Sequence, residues 1–382
     1  INGQPRFGTG ERVGDFPLYI PSVSVSSIGG GGGSIARVDD HGVLKSGPTS
    51  AGSEPGPACY GRGGTLPTTT DAFVVCGFLG QVELAYGTVG IDRGNAEQAV
   101  DTIAEPLARS VREAAQNIIQ VATSGMYAEM TRVFARHGAE PKSFALMAFG
   151  GAGPMIACFL AREAGMRTVL VPPTPGVLSA LGGLVADTKN DFIHTVYGAL
   201  DAALVDTLRA DFAALCAQAR SWFVDEQGRH DEPQLLLSGD LRYAGQSFEI
   251  ETPIEAAWID GGDVASIADS FHRQHQAIYN YSDPTAPVQV INVRVVVAGA
   301  NTRPVFPELA AVPYTPTPER IVEVFYDDAP RQAGLYLREL LRPGARFSGP
   351  AIIAQSDTTT CVLHGYTVRV DGYGNIFLES DD

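Results

Sequence analysis

Three stretches of the chain hold residue types that can do chemistry. The first is Phe149-Gly150-Gly151-Ala152-Gly153-Pro154. An apolar run, Phe144 to Phe149, leads into it, and Met155, Ile156, Phe159 and Leu160 recur at helical spacing after it. That pattern predicts a buried strand, a tight turn and a helix. Glycines let a nucleotide approach the backbone, and the free N–H groups of a helix start attract phosphate or an adenosine hydroxyl. Gly150, Gly151, Ala152, Gly153 and Pro154 are therefore candidate nucleotide contacts. Ile156 stands where a dinucleotide fingerprint has its third glycine, and the Lys-Ser/Thr of a P-loop is absent. A tight turn without a ligand is the competing reading.

The second stretch is the glycine run Gly29 to Gly33, followed by Ser34. Ordering five glycines costs much entropy, so an ordered run needs a reason. Gly32, Gly33 and Ser34 are candidates for packing backbone against a ligand. The third stretch, Ser50 to Gly64, sets Glu54, Cys59, Tyr60 and Arg62 among glycines and prolines. Arg62 can clamp a carboxylate or phosphate with two parallel hydrogen bonds, or simply form a structural ion pair. Cys59 is a candidate nucleophile, but no histidine stands in a partner motif, and a small buried residue is the weightier reading. Asp71 is either a catalytic carboxylate or the N-cap of the helix that follows. Glu54, Cys59, Arg62 and Asp71 make up the catalytic candidates.

Two further groups carry less. His272 and His275 lie three apart on a helix, a spacing that can share a metal. No third ligand is placed by sequence, so a solvated helix face is the better reading and no metal site is assigned. Asp357-Thr358-Thr359-Thr360 reads as a polar loop with local hydrogen bonds.

The elements that must position these residues follow from periodicity. Ser34 to Val38 and Val43 to Lys45 read as a hairpin around Asp39-Asp40-His41-Gly42. Ser46 to Thr70 has no periodicity; such a long loop is usually functional, and it is expected to be ordered and to line a cleft. Helices are predicted from Asp71 to Phe78, Asn95 to Ala108 and Val111 to His137, the last ended by Gly138. A buried strand, Thr168 to Val171, and a small-residue helix, Val177 to Ala186, complete an α/β segment. Beyond Gly198 come helices at Ala202 to Glu226 and Val264 to Tyr281, and strands at Leu235–Tyr243, Phe248–Thr252, Val288–Val297 and Ile321–Tyr326. The last 35 or so residues read as short strands and turns. Pro304, Pro307, Pro313, Pro316 and Pro318 predict a stiff linker before a separate β-rich domain. The expected partition is 1–198, 199–303 and 304–382.

The chain has 382 residues, room for two or three domains. Hydrophobic residues at 45% and charged residues at 18% suit a buried core. Lys and Arg total 27 against 43 Asp and Glu, a net charge of −16, which repels nucleic-acid phosphates. No apolar run approaches a membrane span. The five cysteines are far apart and form no C-x-x-C pair, so a reducing, cytoplasmic setting is expected. The first residues, Ile-Asn-Gly-Gln-Pro, hold neither a signal peptide nor an initiator Met, as expected of a processed chain or a piece of a longer one.

Taken in order, these stretches resemble the hydantoinase A / 5-oxoprolinase family. The resemblance is carried by Ile28 to Ala36, Ser50 to Gly64 with Pro67 to Ala72, Phe149 to Pro154, and Pro175 to Gly182. It continues with Arg242-Tyr243-Ala244-Gly245-Gln246-Ser247, Gly349 to Ile353, Asp357 to Thr360, and Val370 to Asn375. It implies an α/β fold: part of an actin/Hsp70/sugar-kinase-like ATPase core followed by a smaller β-rich C-terminal domain. It also implies ATP-dependent activation of a carbonyl or enol oxygen as a phosphoester. Hydrolysis of a cyclic amide would follow or, in the carboxylase branch, carboxylation of a ketone. The implied partner is a hydantoinase B type subunit or domain. A retained scaffold or binding fragment without catalysis is the remaining alternative. The family's two Asp-x-Gly-Gly-Thr phosphate loops are absent; Gly61-Arg62-Gly63-Gly64-Thr65 has no preceding aspartate in place. By resemblance, then, the chain is the C-terminal part of the A subunit. It would supply the adenosine side of an ATP cleft, while an N-terminal segment upstream holds Mg²⁺. By itself it would be inactive.

Overall fold

A computed structural model describes residues 7–8, 12–13, 16–17, 22–23, 25, 27–81, 87–136, 138–301 and 303–381. The apolar stretch Leu18 to Ile20, whose composition suits an opening strand, lies outside the described residues, as does His137. Contacts divide the chain into two compact units, residues 1–180 with 306–382, and residues 181–305.

The first unit opens with four two-residue strands. β1 (Phe7–Gly8) pairs with β4 (Ser22–Val23), and β2 (Arg12–Val13) with β3 (Phe16–Pro17). The expected hairpin follows as β5 (Ser34–Val38) and β6 (Leu44–Ser50), antiparallel. Asp39 closes its turn, its carboxylate accepting the N–H groups of His41 and Val43 at 3.0 and 2.9 Å. Next come α1 (Thr69–Val75), α2 (Arg93–Leu107) and α3 (Val111–Arg136). β7 (Leu146–Met147), α4 (Gly153–Ala164), β8 (Thr168–Val171) and α5 (Leu178–Val185) form the strand–turn–helix region.

The second unit is a sheet with helices on one face. β9 (Thr188–Ala199), β10 (Gln234–Tyr243), β11 (Ile250–Ile254) and β12 (Val288–Gly299) pair in the order β11-β10-β12-β9, all antiparallel. α6 (Ala202–Ser221), α7 (Ala256–Gly261) and α8 (Val264–Tyr279) cover it. Val293, Val295 and Val297 alternate into that core with Leu208, Phe212, Ile267 and Phe271. β9 was not predicted, because its Thr-Lys-Asn-Asp start reads as a loop. It is half-exposed along its length and, among the described residues, pairs only with β12.

The C-terminal strands complete the first unit. β13 (Arg320–Tyr326), β14 (Ala329–Leu337), β16 (Ala351–Ala354) and β17 (Thr359–Val362) form one sheet, in that order. β15 (Arg346–Ser348), β18 (Tyr366–Val370) and β19 (Ile376–Ser380) join β8 and β7 in another, ordered β15-β18-β19-β8-β7. Leu378 pairs with Val169, and one hydrophobic core runs from Phe73 and Phe159 to Tyr326 and Ile352. The 304–382 segment is therefore β-rich, as read, but it shares a sheet and a core with residues 1–180 instead of standing apart. The first expected boundary, at 198, falls after β9, which belongs to the second unit. The proline-rich approach is pinned by hydrogen bonds from Leu309 N–H to Gly372 O and from Tyr314 N–H to Gly344 O.

Candidate nucleotide-binding turn

The turn at 150–153 is held from both sides. Gly150 has φ +78°, a left-handed conformation suited to glycine, and its N–H donates to Pro175 O at 2.8 Å. α4 begins at Gly153 with Pro154 in its first turn. Ala152 is the residue before it and offers no side-chain cap. The leading N–H groups of α4 are thus left to solvent or a ligand. A Cβ added at Gly151 would meet nothing nearer than Asp357 O, at 3.9 Å, so this glycine borders open space. β7 is shorter than the predicted Phe144 to Phe149 strand and lies at the edge of its sheet. Met147 and Phe149 accordingly stay about half exposed, at 51% and 49%.

The glycine run packs beside this turn. Gly31 O accepts the Ser34 N–H at 3.1 Å, and Ser34 Oγ accepts the Gly31 N–H at 2.9 Å. Gly32 O accepts both the N–H and the hydroxyl of Thr70, at 2.8 and 2.9 Å. Gly33 O accepts the Ala51 N–H at 2.9 Å. A Cβ on Gly32 would stand 3.4 Å from Cβ of Ala152 and 2.8 Å from Thr70 Oγ1. The run is held because the carbonyls of Gly31, Gly32 and Gly33 each accept a hydrogen bond and two backbones approach closely. Ser34 is buried, and its hydroxyl holds its own turn.

The 50–70 segment is fastened to the same hairpin, and Asp71 is its knot. Asp71 is fully buried. Its Oδ1 accepts the Cys59 N–H at 2.7 Å; its Oδ2 accepts the Thr68 N–H at 2.9 Å, the Thr68 hydroxyl at 2.7 Å and the Ala58 N–H at 3.3 Å. The N-cap of α1 is Thr68, and Asp71 is the third residue of a capping box, so it is not the N-cap that was read. Both its oxygens are engaged inside the protein.

Cys59 takes the weightier of its two readings, that of a small buried residue. It is fully buried, and burial, reinforced by the Asp71 charge, pushes its thiol far up, which disfavours the thiolate a nucleophile needs. Glu54 and Arg62 are exposed and make no side-chain hydrogen bond or ion pair among the described residues. Cys59 and Tyr60 line a wide, shallow depression of about 470 Å³ with Gly90, Ile91, Asp92 and Arg93; no residue of the glycine turn borders it. No group of three or more His, Cys, Asp or Glu among the described residues could hold a metal ion.

Two structural clusters were missed. Asp357 and Thr358, read as a local polar loop, reach across to the glycine turn: Thr358 Oγ1 donates to Gly151 O at 2.7 Å, and Asp357 Oδ2 accepts the Gly176 N–H at 2.9 Å. Their partners lie 207 and 181 residues away in sequence, so no local pattern reports them. His272 and His275 are buried, not solvated as read. Tyr243 Oη accepts the Asp283 N–H at 2.8 Å and shares a second hydrogen bond with His272 Nδ1, also at 2.8 Å. His275 Nδ1 meets Tyr281 O at 2.6 Å, and Gln246 Nε2 meets His275 Nε2 at 3.2 Å. Tyr243 and Gln246 of the Arg-Tyr-Ala-Gly-Gln-Ser stretch thus fix both rings.

Comparison with known proteins accounts for the order of these features. The alpha subunit of caprolactamase from Pseudomonas jessenii is 33% identical over 377 residues, covering 97% of this chain and 54% of that protein. A crystal structure of ATP-dependent caprolactamase from Pseudomonas jessenii superposes with a TM-score of 0.82 at 32% identity, covering 98% of this chain and 56% of that one. A nucleotide-free structure of acetone carboxylase gives 0.80 at 25% identity, covering 99% and 56%. The fold is accordingly α/β, an ATPase-like core with a β-rich C-terminal part, and the chain spans about half the length of the relatives it matches. The pattern described as hydantoinase/oxoprolinase matches residues 1–192, and that described as hydantoinase/oxoprolinase C-terminal domain matches 199–380. The chain belongs to the hydantoinase/oxoprolinase family.

Proposed function

We propose that this chain is part of an ATP-dependent hydrolase of cyclic amides, and that it forms the adenosine side of the nucleotide site. The carrying observation is the close approach of Gly32 to Ala152 beside the uncapped start of α4. Two glycine-rich backbones meet where N–H groups are available, which suits a nucleotide hydroxyl or phosphate. Gly150 to Pro154 contact the nucleotide; Gly32 and Gly33 wall it. Bound ATP supplies the phosphoryl group that activates the amide carbonyl oxygen. The chain's own part is to hold and orient the nucleotide. Of the polar residues in the 50–70 segment, Glu54 and Arg62 are exposed and available to a substrate, while Asp71 and Cys59 hold the loop that carries them.

Phosphoryl transfer also needs a metal ion with its carboxylates. Those are assigned to an N-terminal segment of the A-type subunit, with a hydantoinase B type subunit as partner in the cytoplasm. The likeness to a caprolactamase supports hydrolysis over the carboxylation named for the other relative, since its identity is higher, 32% against 25%.

The test is a substrate-screened ATPase assay on the complete enzyme. ATP-dependent release of a ring-opened amino acid from a lactam, hydantoin or 5-oxoproline is expected. Fixation of bicarbonate into a ketone would instead establish the carboxylase reading. The purified 382-residue chain, free of partners, is expected to turn over no ATP. Substrate-dependent hydrolysis by it would refute the division of labour.

A further inference from the structure

The turn between β16 and β17, residues 355–358, touches both loops that frame the start of α4. Thr358 Oγ1 donates to Gly151 O at 2.7 Å. Asp357 Oδ2 accepts the Gly176 N–H at 2.9 Å, and Gln355 Nε2 donates to Pro173 O at 2.8 Å. Gly150 N–H donates to Pro175 O, so the two loops are also tied to each other. The turn is closed on itself by Gln355 N–H to Thr358 O at 3.0 Å, and both of its strands are buried throughout. It is a stiff mount.

Peptide geometry gives this mount a consequence. A trans peptide directs its C=O and N–H in opposite senses. The carbonyl of Gly151 and the N–H of Ala152 belong to one peptide. Pulling the carbonyl toward Thr358 therefore turns the Ala152 N–H the other way, away from the mount. Glycines at 150, 151 and 153 would otherwise let this plane rotate easily. Thr358 is 3% exposed, so its hydroxyl is shielded from bulk solvent.

The mount also leaves polar groups without hydrogen bonds. Asp357 Oδ1 and Arg338 Nη1 are both buried and unbonded. Burial pulls the Arg338 guanidinium down to about 10, and the charges of Asp357 and Asp371 oppose that shift. A region selected for stability alone would not keep such groups; unsatisfied buried polar atoms call for another explanation.

We propose that Thr358 and Asp357 are positioning residues for nucleotide binding, acting through the Gly151–Ala152 peptide and Gly176. The proposal rests on the nucleotide reading of the 150–154 turn. The test is ATP affinity of the complete enzyme by calorimetry, with melting temperature beside it. Thr358→Val keeps the shape and removes the hydroxyl; it should weaken ATP about tenfold, the worth of one buried hydrogen bond. Thr358→Ser should restore affinity. Thr123→Val is the control, since Thr123 is equally buried and its hydroxyl also donates to a carbonyl, Ile119 O at 2.8 Å. It should lower the melting temperature without changing ATP affinity. Gly176→Ala approaches from the other side, because its Cβ would sit 2.9 Å from Asp357 Cβ; it too should weaken ATP. Unchanged affinity in Thr358→Val, or equal loss in Thr123→Val, overturns the proposal. Wild-type enzyme that fails to bind ATP overturns the nucleotide reading itself.

Discussion

Gly32 lies so close to Ala152 that a Cβ on it would stand 3.4 Å from the alanine methyl, although the two residues are 120 positions apart in sequence. The same Cβ would press on Thr70 Oγ1 at 2.8 Å. Gly32→Val is therefore expected to force the glycine run off α4, lowering both ATP affinity and melting temperature. Gly151→Val faces open space and should separate the two effects. Its melting temperature stays near wild type while ATP affinity falls at least tenfold, as read by calorimetry on the complete enzyme. Wild-type affinity in Gly151→Val would remove nucleotide from this turn.

Asp71→Asn replaces a carboxylate that accepts four hydrogen bonds with an amide that can accept only on its oxygen. Charged hydrogen bonds are worth roughly 1.5–3 kcal/mol each. Denaturant titration should show a loss of at least about 2 kcal/mol, with activity retained well below the lowered melting point. Full activity loss in a variant that remains folded would give Asp71 a chemical role.

Alkaline pH should destabilise the first unit. Cys76 and Cys158 are buried, and burial pushes each thiol from 9.0 up to about 12. Between pH 9 and 12 the unfolded chain loses these protons while the folded one keeps them. The folded state then binds more protons, so stability falls as pH rises, by about 1.4 kcal/mol per unit for each thiol. Arg338, pulled down from 12.5 to about 10, acts in the opposite sense between those values and offsets one thiol over that range. Melting temperature measured from pH 8 to 10.5 should drop, and Cys158→Ala should flatten the slope. A pH-independent melting point would contradict this.

Tyr243→Phe removes the hydroxyl that links Asp283 N–H to His272 Nδ1. One buried donor and one acceptor lose their partner, at about 1–3 kcal/mol each. The second unit should melt earlier, and nitrogen NMR of His272 should show a changed tautomer balance. An unchanged His272 spectrum would show that Tyr243 does not set its tautomer.

Local pattern determined much of this protein from sequence alone. Apolar spacing located α3, α4, α6 and α8 within a few residues, because helix formation depends on near neighbours. Gly150 announced its turn, because its φ of +78° is open to few other residues. The order of the glycine, proline and threonine stretches carried the family.

Tertiary structure decided the rest, because it sets distance and burial. The sequence allowed Cys59 and Asp71 to be either chemistry or framework. The fold encloses both and spends the carboxylate on the backbone of residues 58–59 and on Thr68. β9 pairs with β12 across about 100 residues, and its polar face conceals it from periodicity. The C-terminal strands looked like a domain of their own because each is short and bounded by turns. Only pairing across two hundred residues, Leu378 with Val169, joins β15, β18 and β19 to the strands beside the glycine turn, and only packing of the neighbouring sheet brings Thr358 to Gly151. Hydrogen bonds of that range depend on where whole elements pack, which no local run of residues encodes.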